Sequence, residues 1–430
     1  MRCRPSRGWG PAGRGALVNC SAPGRPTIDL LILDWLNVGL RWVHLIAGIG
    51  WIGTPLYFMW LDAALIRADP PRGDVEGHTW LLHSGGFYLV ERRKLPPGQL
   101  PSPIHWFKWE AAMTWLTGFP LLVLVYYLTR GVYLVDPAVS AITPGQAVAV
   151  GIGVLIVGWA VYDLLWSSPL ARGSGRAAVI VSWVLLLAVV YALTHVLSGR
   201  AAYIHTGAML GTIMVANVWM RIVPAQRELI AAATAGRIPD ATLSRRAKQR
   251  STHNSYVTFP VIFMMLSNHY PATYGHPLNW LILWLLIAVG VGVRHVMIAR
   301  ERGRPADWWL VPVSAALAGV VYLTSPAWLG GARHGGARVG FVAAKEVIDR
   351  RCVSCHSDKP SDDVFRIAPN GVTFETAESI RARAETIRAR VVVLRNMPLA
   401  NKTGMTEAER DLIARWLDQG APIDGGAGSR

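Results

Sequence analysis

Residues 352–356 read CVSCH, a spacing of two cysteines and one histidine that can hold a haem. Two thiols separated by two residues can form thioethers with the vinyl groups of a porphyrin, and the adjacent imidazole can bind its iron. Cys352, Cys355 and His356 therefore predict a covalent haem c, with His356 as the proximal ligand. Zinc and a thioredoxin-like redox site are the competing interpretations. The first would need four ligands and no second Cys or His pair follows, and the second would need a βαβ pattern that the flanking sequence lacks.

A methionine downstream is expected to supply the second axial ligand of the iron. Met397 lies in an irregular stretch between two helical patterns, whereas Met405 directly precedes a capping box with Thr406 as N-cap and Glu409 at position N3. We therefore predict that Met397 binds the iron and that Met405 packs at the start of a last helix over about 407–419. One face of that helix is apolar and would close the core over the haem, with Leu412, Ile413, Trp416 and Leu417.

The composition is that of a membrane protein rather than of a soluble enzyme. Hydrophobic residues make up 52% of the 430-residue chain and charged residues 16%. Apolar runs of about twenty residues predict eight spans, over 35–65, 110–130, 146–166, 177–197, 203–222, 254–270, 279–299 and 307–329. The sixth run is the most polar and contains Pro260. The predicted fold class is all-α, a polytopic helix bundle in the membrane followed by a small all-α cytochrome c domain.

The chain divides into four segments by composition. Residues 1–33 are rich in Gly, Pro and Arg and are expected to be a disordered extension, whose Cys3 and Cys20 match no metal pattern. Residues 34–329 form the membrane domain, 330–340 a Gly-rich linker and 341–430 the cytochrome domain. Within the membrane domain, residues 79–103 predict a hairpin around Gly85 and Gly86 on the cytoplasmic face.

The net charge of +16 lies almost entirely in the membrane domain. The connections at 66–109, 167–176, 223–253 and 300–306 are basic, whereas those at 131–145, 198–202 and 270–278 contain Arg200 as their one cation. The positive-inside rule then places both termini and the cytochrome domain in the periplasm of a bacterial inner membrane, the side on which haem is attached. This asymmetry explains the basicity without a nucleic-acid partner.

The first span carries a polar stripe that cannot face lipid. Its members recur every three or four residues and are Asp34, Asn37, Arg41, His44, Gly48, Trp51 and Pro55. Four histidines are placed toward the periplasmic side by their positions in the spans: His44, His195, His205 and His269. Either each caps a helix end or hydrogen-bonds within the bundle, or a pair of them binds a second, non-covalent haem b.

A second concentration of polar residues is predicted at the cytoplasmic ends of the spans. It comprises Lys108, Glu110, Arg246, Arg250, His253, Asn254 and Tyr256. The arginines and lysine follow from the topology, but His253, Asn254 and Tyr256 do not. A site for an anionic, hydrogen-bonding substrate is therefore a hypothesis here.

Several blocks of this sequence resemble the membrane-bound cytochrome c urate oxidases, also called urate hydroxylases. They include LRWVHLIAGIGWIGTPLYFMWLD, FYLVERRKLP, WFKWEAAMTWLTGFPL, GRAAYIHTGAMLGTIMVANVW, RSTHNSYVTFPVIFMMLSNHYP and CVSCH with NMPLANKTGMT. The resemblance covers nearly the whole chain from about residue 35 and implies oxidation of urate to 5-hydroxyisourate in purine catabolism. Water would supply the oxygen, and electrons would pass to the haem and on to a downstream cytochrome or terminal oxidase.

The resemblance supplies no residue-level mechanism, so catalytic candidates rest on position and chemistry. They are Arg41, which would pair with the urate anion, and His44, His205 and His253, each able to act as a base or an iron ligand. Two other classes of function stay open. One is a non-catalytic cytochrome subunit of a quinol-linked complex, and the other is a transporter with a regulatory cytochrome domain.

Overall fold

The structure is a computed structural model that describes residues 27–66, 73–94, 99–129, 131–325 and 336–423. Most of the predicted N-terminal extension and half of the predicted linker lie outside these ranges. The first helix begins at Thr27, so residues 27–33 belong to that helix rather than to the extension.

The elements follow one another as helices, with one hairpin after the first helix. In chain order they are α1 Thr27–Ala64, β1 Val75–His83, β2 Gly86–Arg93, α2 Trp109–Leu122, α3 Pro144–Ser167, α4 Pro169–Gly173, α5 Gly175–Val196, α6 Gly199–Asn217, α7 Val223–Thr234, α8 Ala241–Leu266, α9 Pro271–Tyr274, α10 Asn279–Glu301, α11 Leu310–Leu323, α12 Phe341–Arg351, α13 Ala377–Ala382, α14 Ala384–Ile387 and α15 Glu407–Asp418. A π-helical turn, Val123–Tyr127, extends α2, and another, Val218–Ile222, joins α6 to α7.

Six helices in the described part of the chain are long and apolar enough to cross a membrane. They correspond to the first five predicted spans and the seventh. Helices also occupy the sixth and eighth positions, but α8 begins with the polar stretch ATLSRRAKQRSTHNSY and the apolar helix Asp307–Leu323 is shorter than the other spans. The helix-bundle class is confirmed. Among the described residues, six helices meet the length and hydropathy expected of a membrane span.

Pro260 lies inside α8 without ending it. Pro260 packs against Gly290 of α10, where an added Cβ would meet the proline Cδ at 2.8 Å. A proline in a helix interior removes one backbone hydrogen bond, and a closely packed neighbouring helix makes that loss tolerable in a membrane. Gly290 therefore allows α8 and α10 to approach closely at the point where α8 is weakest.

The predicted hairpin is confirmed, with its turn at Ser84 and Gly85. Both turn residues have positive φ, 51° and 78°, which glycine adopts without strain. Strands β1 and β2 pair antiparallel, with His83 opposite Gly86. Arg92 reaches Asp62 of α1 at 2.5 Å and Glu76 of β1 at 3.0 Å, so ion pairs tie the hairpin to the end of α1 that leads into the basic connections.

Residues 336–423 form a helical unit with its own hydrophobic core, called the C-terminal domain below. Ile348, Ile380, Ile413 and Trp416 are among its most buried side chains. The capping box of α15 is confirmed: Glu409 N donates to Thr406 Oγ1, and Thr406 N donates to Glu409 Oε2 at 2.8 Å. A buried aliphatic core and a capped last helix together fix the position of the CVSCH turn at the end of α12.

The C-terminal domain packs on the end of the bundle that carries the weakly charged connections. Phe365 makes an edge-to-face contact with Tyr133, with ring centroids 6.2 Å apart. On the neighbouring connection, a Cβ at Gly275 would lie 3.3 Å from Asn396 Nδ2 and 3.5 Å from Leu394 Cβ. The domain therefore contacts the bundle at the end opposite the hairpin.

Candidate functional site

The CVSCH turn presents two free thiols and one oriented imidazole. Helix α12 ends at Arg351, and His356 N donates to Cys352 O at 2.9 Å, which closes the turn. Cys352 and Cys355 form no disulfide. His356 Nδ1 lies 3.0 Å from Val372 O. A carbonyl can only accept, so Nδ1 carries the proton and Nε2 keeps the lone pair that would bind iron.

Neither competing interpretation of the cysteines fits this geometry. No group of three or more His, Cys, Asp or Glu side chains that could hold a metal ion occurs in the described ranges, and structural zinc takes four such ligands. Burial raises the pKa of the Cys352 thiol to about 12, whereas the reactive cysteine of a redox motif has a lowered pKa. The Cys352 thiol is thus neutral, and both cysteines are half-buried beside His356.

Met397 and the preceding Asn396 lie beside the hydrophobic core of the C-terminal domain. Met397 is half-buried against it, while Met405 is only 4% exposed and packs inside it, as predicted for a structural methionine. Both side-chain polar atoms of Asn396 are buried without a partner in the described residues. Orphaned buried polar groups are rare in folded proteins. A polar group that the described residues do not supply would therefore satisfy Asn396, next to the predicted iron ligand Met397.

The connection after CVSCH is held over the turn by Lys402. Lys402 Nζ lies 2.6 Å from Asp362 Oδ2 and also contacts Asp363 Oδ1. Burial acts to raise the pKa of Asp362, but Lys402 and the backbone N–H groups of Phe365 and Val364 outweigh it and lower the pKa to about 2. The Asp362 carboxylate is therefore ionised at any physiological pH, so its ion pair with Lys402 persists over that whole range.

Beneath the C-terminal domain, an arginine lies among aromatic side chains in what we call the Arg200 cluster: Arg200, Tyr126, Tyr133, Asn268 and His205. The Arg200 guanidinium carbon is 4.3 Å from the Tyr133 ring centroid. Its Nε donates to Asn268 Oδ1 at 2.9 Å, and Tyr126 OH donates to the same oxygen at 3.1 Å. In the described part of the chain no carboxylate pairs with Arg200, so the cluster has a net positive charge and can bind an anion.

His205 is the most deeply buried member of the Arg200 cluster. It is completely buried, and its ring makes an edge-to-face contact with Tyr126. His205 Nδ1 lies 2.8 Å from Ala201 O and therefore donates to it, which leaves Nε2 to accept from Tyr127 OH at 3.0 Å. Both ring nitrogens are thus engaged within the bundle.

His44 lies on the side of α1 that faces the bundle, whereas Asp34 and Arg41 of the predicted polar stripe are exposed. Asn37, His44, Gly48, Trp51 and Pro55 of the predicted stripe are half-buried, while Trp35, Trp42, Leu45 and Ile49 point away from the bundle. His44 Nδ1 lies 2.9 Å from Thr114 O of α2, and its Nε2 has no hydrogen-bond partner in the described residues. Arg41 is exposed and donates to Asn37 at 2.6 Å. It is close enough to act electrostatically on Tyr133, so it flanks the Arg200 cluster.

Tyr133, which lies in the connection after α2, links the Arg200 cluster to CVSCH. Burial raises the pKa of its hydroxyl, while Arg200 and Arg41 act to lower it. The ring contact with Phe365 puts the tyrosine directly below the C-terminal domain.

The other two histidines predicted on the periplasmic side do not join this cluster. His195 is exposed at the end of α5, stacks on Tyr191 and bonds through Nδ1 to the Tyr191 carbonyl at 2.7 Å. His269 is exposed after α8. His195 thus makes a local hydrogen bond within its own helix.

His253 belongs to a separate, deeper group at the other end of the bundle. Tyr162 OH bonds to His253 Nδ1 at 2.8 Å, and Asn217 Nδ2 donates to Tyr162 OH at 3.1 Å and to Asn254 Oδ1 at 2.9 Å. Asn217 follows His205 by twelve residues on α6, which is about 18 Å along the helix axis. The four catalytic candidates therefore divide between two places.

The cytoplasmic-side cations predicted near His253 are occupied elsewhere. Arg250 pairs with Asp163 at 3.0 Å, and Arg221 pairs with the same carboxylate. Lys108 lies 4.5 Å from the Trp106 ring centroid. The side chain of Arg246 is exposed. The polar residues predicted as one concentration are thus spread over several local contacts.

Sequence reasoning missed tyrosines and asparagines at both places. Tyr126, Tyr127, Tyr133 and Asn268 near Arg200, and Tyr162 and Asn217 near His253, carry no motif. Arg200 did carry a signal, since it is the one cation on connections that are otherwise free of Lys and Arg. A buried cation where topology does not require one is evidence for a partner of opposite charge.

Comparison with known families identifies the bundle. The model of the family described as "Urate oxidase N-terminal" matches residues 30–325. The chain belongs to the urate oxidase N-terminal family. The match covers all the bundle helices and the Arg200 cluster and ends before the C-terminal domain. Searches of curated proteins and of solved structures gave no match. The family supports an oxidoreductase that acts on urate.

Proposed function

We propose that this protein oxidises urate to 5-hydroxyisourate within the bundle and passes the electrons to a haem c on the C-terminal domain. One observation carries the proposal: in a chain of the urate oxidase N-terminal family, the C-terminal domain with CVSCH contacts Tyr133 of the positively charged Arg200 cluster. The overall change takes urate and one water to 5-hydroxyisourate, two electrons and two protons. The electrons continue to a downstream cytochrome or a terminal oxidase.

The proposed setting is a bacterial inner membrane crossed eight times, with both termini in the periplasm. Besides the six apolar helices, α8 and α11 provide two more crossings. The polar start of α8 and the basic connections then lie in the cytoplasm, as the positive-inside rule requires. The contact of the C-terminal domain with the weakly charged end of the bundle supports a periplasmic location for that domain.

The C-terminal domain has the residues to hold haem c. Cys352 and Cys355 would attach it, and His356 and Met397 would bind its iron, with His356 oriented by Val372. When bound, such a haem accepts one electron at a time. Two electrons leave each urate, so either the haem is used twice or a second centre intervenes.

A non-covalent haem b is the proposed second centre if there is one. Among its candidate ligands, His205 already uses both nitrogens, and a haem there would have to break the bond to Tyr127. His44 keeps Nε2 available, whereas the Nδ1 atoms of His44 and His195 bond to carbonyls. A pyridine haemochrome spectrum of the purified protein separates haem b from haem c.

The urate site is proposed to be the Arg200 cluster with Arg41 at its edge. Urate is an anion at neutral pH, and Arg200 offers it a half-buried guanidinium that pairs with no carboxylate among the described residues. Tyr133 supplies an aromatic surface next to that cation. His205 and Tyr127 form a pair below the cluster that can hold a proton, and His44 supplies a further neutral imidazole.

The proposal is tested by the origin of the oxygen atom. Membranes containing the protein are incubated with urate in ¹⁸O-labelled water under anaerobic conditions, with ferricyanide as the electron acceptor. We expect labelled 5-hydroxyisourate and no hydrogen peroxide. Unlabelled product, or turnover that requires dioxygen in the presence of ferricyanide, would contradict the proposal.

A further inference from the structure

A large cavity lies among α3, α5, α6, α8, α10 and α11, away from the Arg200 cluster. Its volume is about 1260 Å³, more than the roughly 300–1,000 Å³ of pockets that bind drug-sized molecules. Along α3 its wall runs from Val150 to Trp166, which is about 24 Å of helix at 1.5 Å per residue. The cavity is thus nearly as long as the hydrocarbon core of a bilayer, about 30 Å.

The cavity is open toward lipid. Lining residues of α3 and α5 are exposed on the bundle surface, namely Val157, Val161, Val179 and Leu185. Nearly all of the wall is formed by aliphatic and tryptophan side chains, and it includes no Lys, Arg, Asp or Glu. A phospholipid needs a cation for its phosphate and urate needs one for its charge, so the lining favours a neutral, long-chain molecule.

One end of the cavity is polar and contains two tyrosine–histidine pairs. Tyr162 OH accepts from Asn217 Nδ2, so its own proton goes to His253 Nδ1. A neutral imidazole carries one N–H proton, which is then on Nε2. His253 can therefore donate a hydrogen bond to a ligand through Nε2.

The second pair lies one helical turn further along α8. Tyr256 OH is 2.9 Å from His295 Nδ1, and His295 Nε2 has no hydrogen-bond partner in the described ranges. His253 and Tyr256 are three residues apart, about 4.5 Å along the axis. All four residues line the cavity. This end of the cavity therefore offers two hydrogen-bonding imidazoles, each beside a tyrosine, to a ring that carries more than one oxygen.

This end also has a buried polar atom that lacks a partner. Asn217 Oδ1 is buried and unpaired within the described residues, and Asn217 lines the cavity. Trp284 Nε1 is a second such atom on the cavity wall, about 16 Å from His295 along α10. Asn217 is completely buried. Leaving such groups unpaired costs about 1–3 kcal/mol each, so a ligand that hydrogen-bonds here would relieve that cost.

We propose that the cavity binds an isoprenoid quinone, with its ring between the His253 and His295 pairs and its tail along α3 and α5 toward the lipid. The ligand is recognised by its uncharged ring with two opposed oxygens and by a long apolar tail. This site is separate from the proposed urate site, and the inference concerns binding alone.

The test uses the purified full-length protein in detergent. Quinone is extracted and quantified, and the depleted protein is titrated with decylubiquinone while the fluorescence of the cavity tryptophans is recorded. Gly153 lines the cavity, and its Cβ position has nothing within 4 Å, so Gly153→Leu fills the tail channel without a clash. We expect it to weaken decylubiquinone binding by about tenfold or more, since the tail loses its apolar contacts.

Gly145→Leu is the matched control, because Gly145 is exposed near the start of α3 and outside the cavity. It should bind decylubiquinone like the parent protein. Equal binding by parent and Gly153→Leu, co-purification of phospholipid without quinone, or displacement of decylubiquinone by urate would each overturn the proposal. Because no turnover is measured, these results leave the proposed urate oxidation untouched.

Discussion

Gly151 of α3 is the residue that lets His205 and Tyr127 meet. A Cβ at this position would lie 2.6 Å from the Tyr127 oxygen and 2.7 Å from His205 Nε2. A side chain there would push apart two groups on two other helices that are hydrogen-bonded to each other. At the scale of single residues, the site thus requires the absence of a side chain at Gly151 as much as it requires the side chains of His205 and Tyr127.

We expect Gly151→Ala to destabilise the protein by about 1–3 kcal/mol, the usual cost of overpacking a buried site. Unfolding of the full chain in mixed micelles measures this. Gly153→Ala, two residues along the same helix, adds its methyl to open space and should be neutral or stabilising by up to about 1 kcal/mol. Equal effects of the two substitutions would show that His205 and Tyr127 do not form the pair described.

Arg200 is proposed to contact urate itself, as the cation of the urate site that pairs with no carboxylate in the described residues. Arg200→Gln should raise the KM for urate by about 10- to 100-fold, because a hydrogen bond to a charged group is worth about 1.5–3 kcal/mol. Steady-state kinetics with ferricyanide as acceptor measure it. Arg176→Gln, at an exposed position on α5, is the control. An unchanged KM for Arg200→Gln would place urate elsewhere.

At the scale of elements, local signals predicted well what is local. The capping box at Thr406 fixed the start of α15, and the glycine-containing turn fixed the hairpin. Contacts between distant parts of the chain were not predictable: Tyr127 and His205 are 78 residues apart, and Tyr162 and His253 are 91 apart. No periodicity encodes such pairings, since they depend on which helices pack together.

The connection between CVSCH and α13 gives a prediction at this scale. Lys402→Met removes the partner of Asp362 and should speed hydrogen exchange of residues 358–366 in the full chain by about 10- to 100-fold. Lys359→Met, exposed on the same connection, should have little effect.

The pH dependence of the Lys402–Asp362 ion pair follows from the lowered pKa of Asp362. A carboxyl group with a depressed pKa stabilises the fold above its ordinary pKa of about 3.8, and the stabilisation is lost as the pH falls toward the folded value of about 2. The difference between parent and Lys402→Met, corrected for intrinsic exchange, should thus be the same at pH 6 and pH 4. Loss of most of it at pH 4 would mean that the pKa of Asp362 in the folded protein is not lowered.

At the scale of the whole molecule, the bundle holds two polar centres at opposite ends. Hydropathy predicted the helix bundle, whereas the sidedness predicted from charge stays a prediction. Six of the eight predicted spans are long and apolar enough to cross a membrane, while α8 begins with a polar stretch and α11 is short. Hydropathy and charge could not show that the C-terminal domain contacts the bundle, since that depends on the shapes of two folded surfaces.

Sidedness is testable with a membrane-impermeant maleimide on spheroplasts. Ala138→Cys, exposed on the connection after α2, should react in intact spheroplasts. Ser84→Cys, exposed at the hairpin turn, should react only after lysis. The opposite pattern would invert the topology and place the C-terminal domain in the cytoplasm.

The transfer of electrons from urate to the C-terminal domain is tested most directly by rapid mixing. Oxidised membranes are mixed anaerobically with urate, and the absorbance of reduced haem c is followed in time, with a quinol in a parallel experiment. The account predicts that urate reduces the haem and that Arg200→Gln slows this at low urate concentration. Reduction by the quinol and not by urate would contradict it and identify the chain as an electron-transfer subunit.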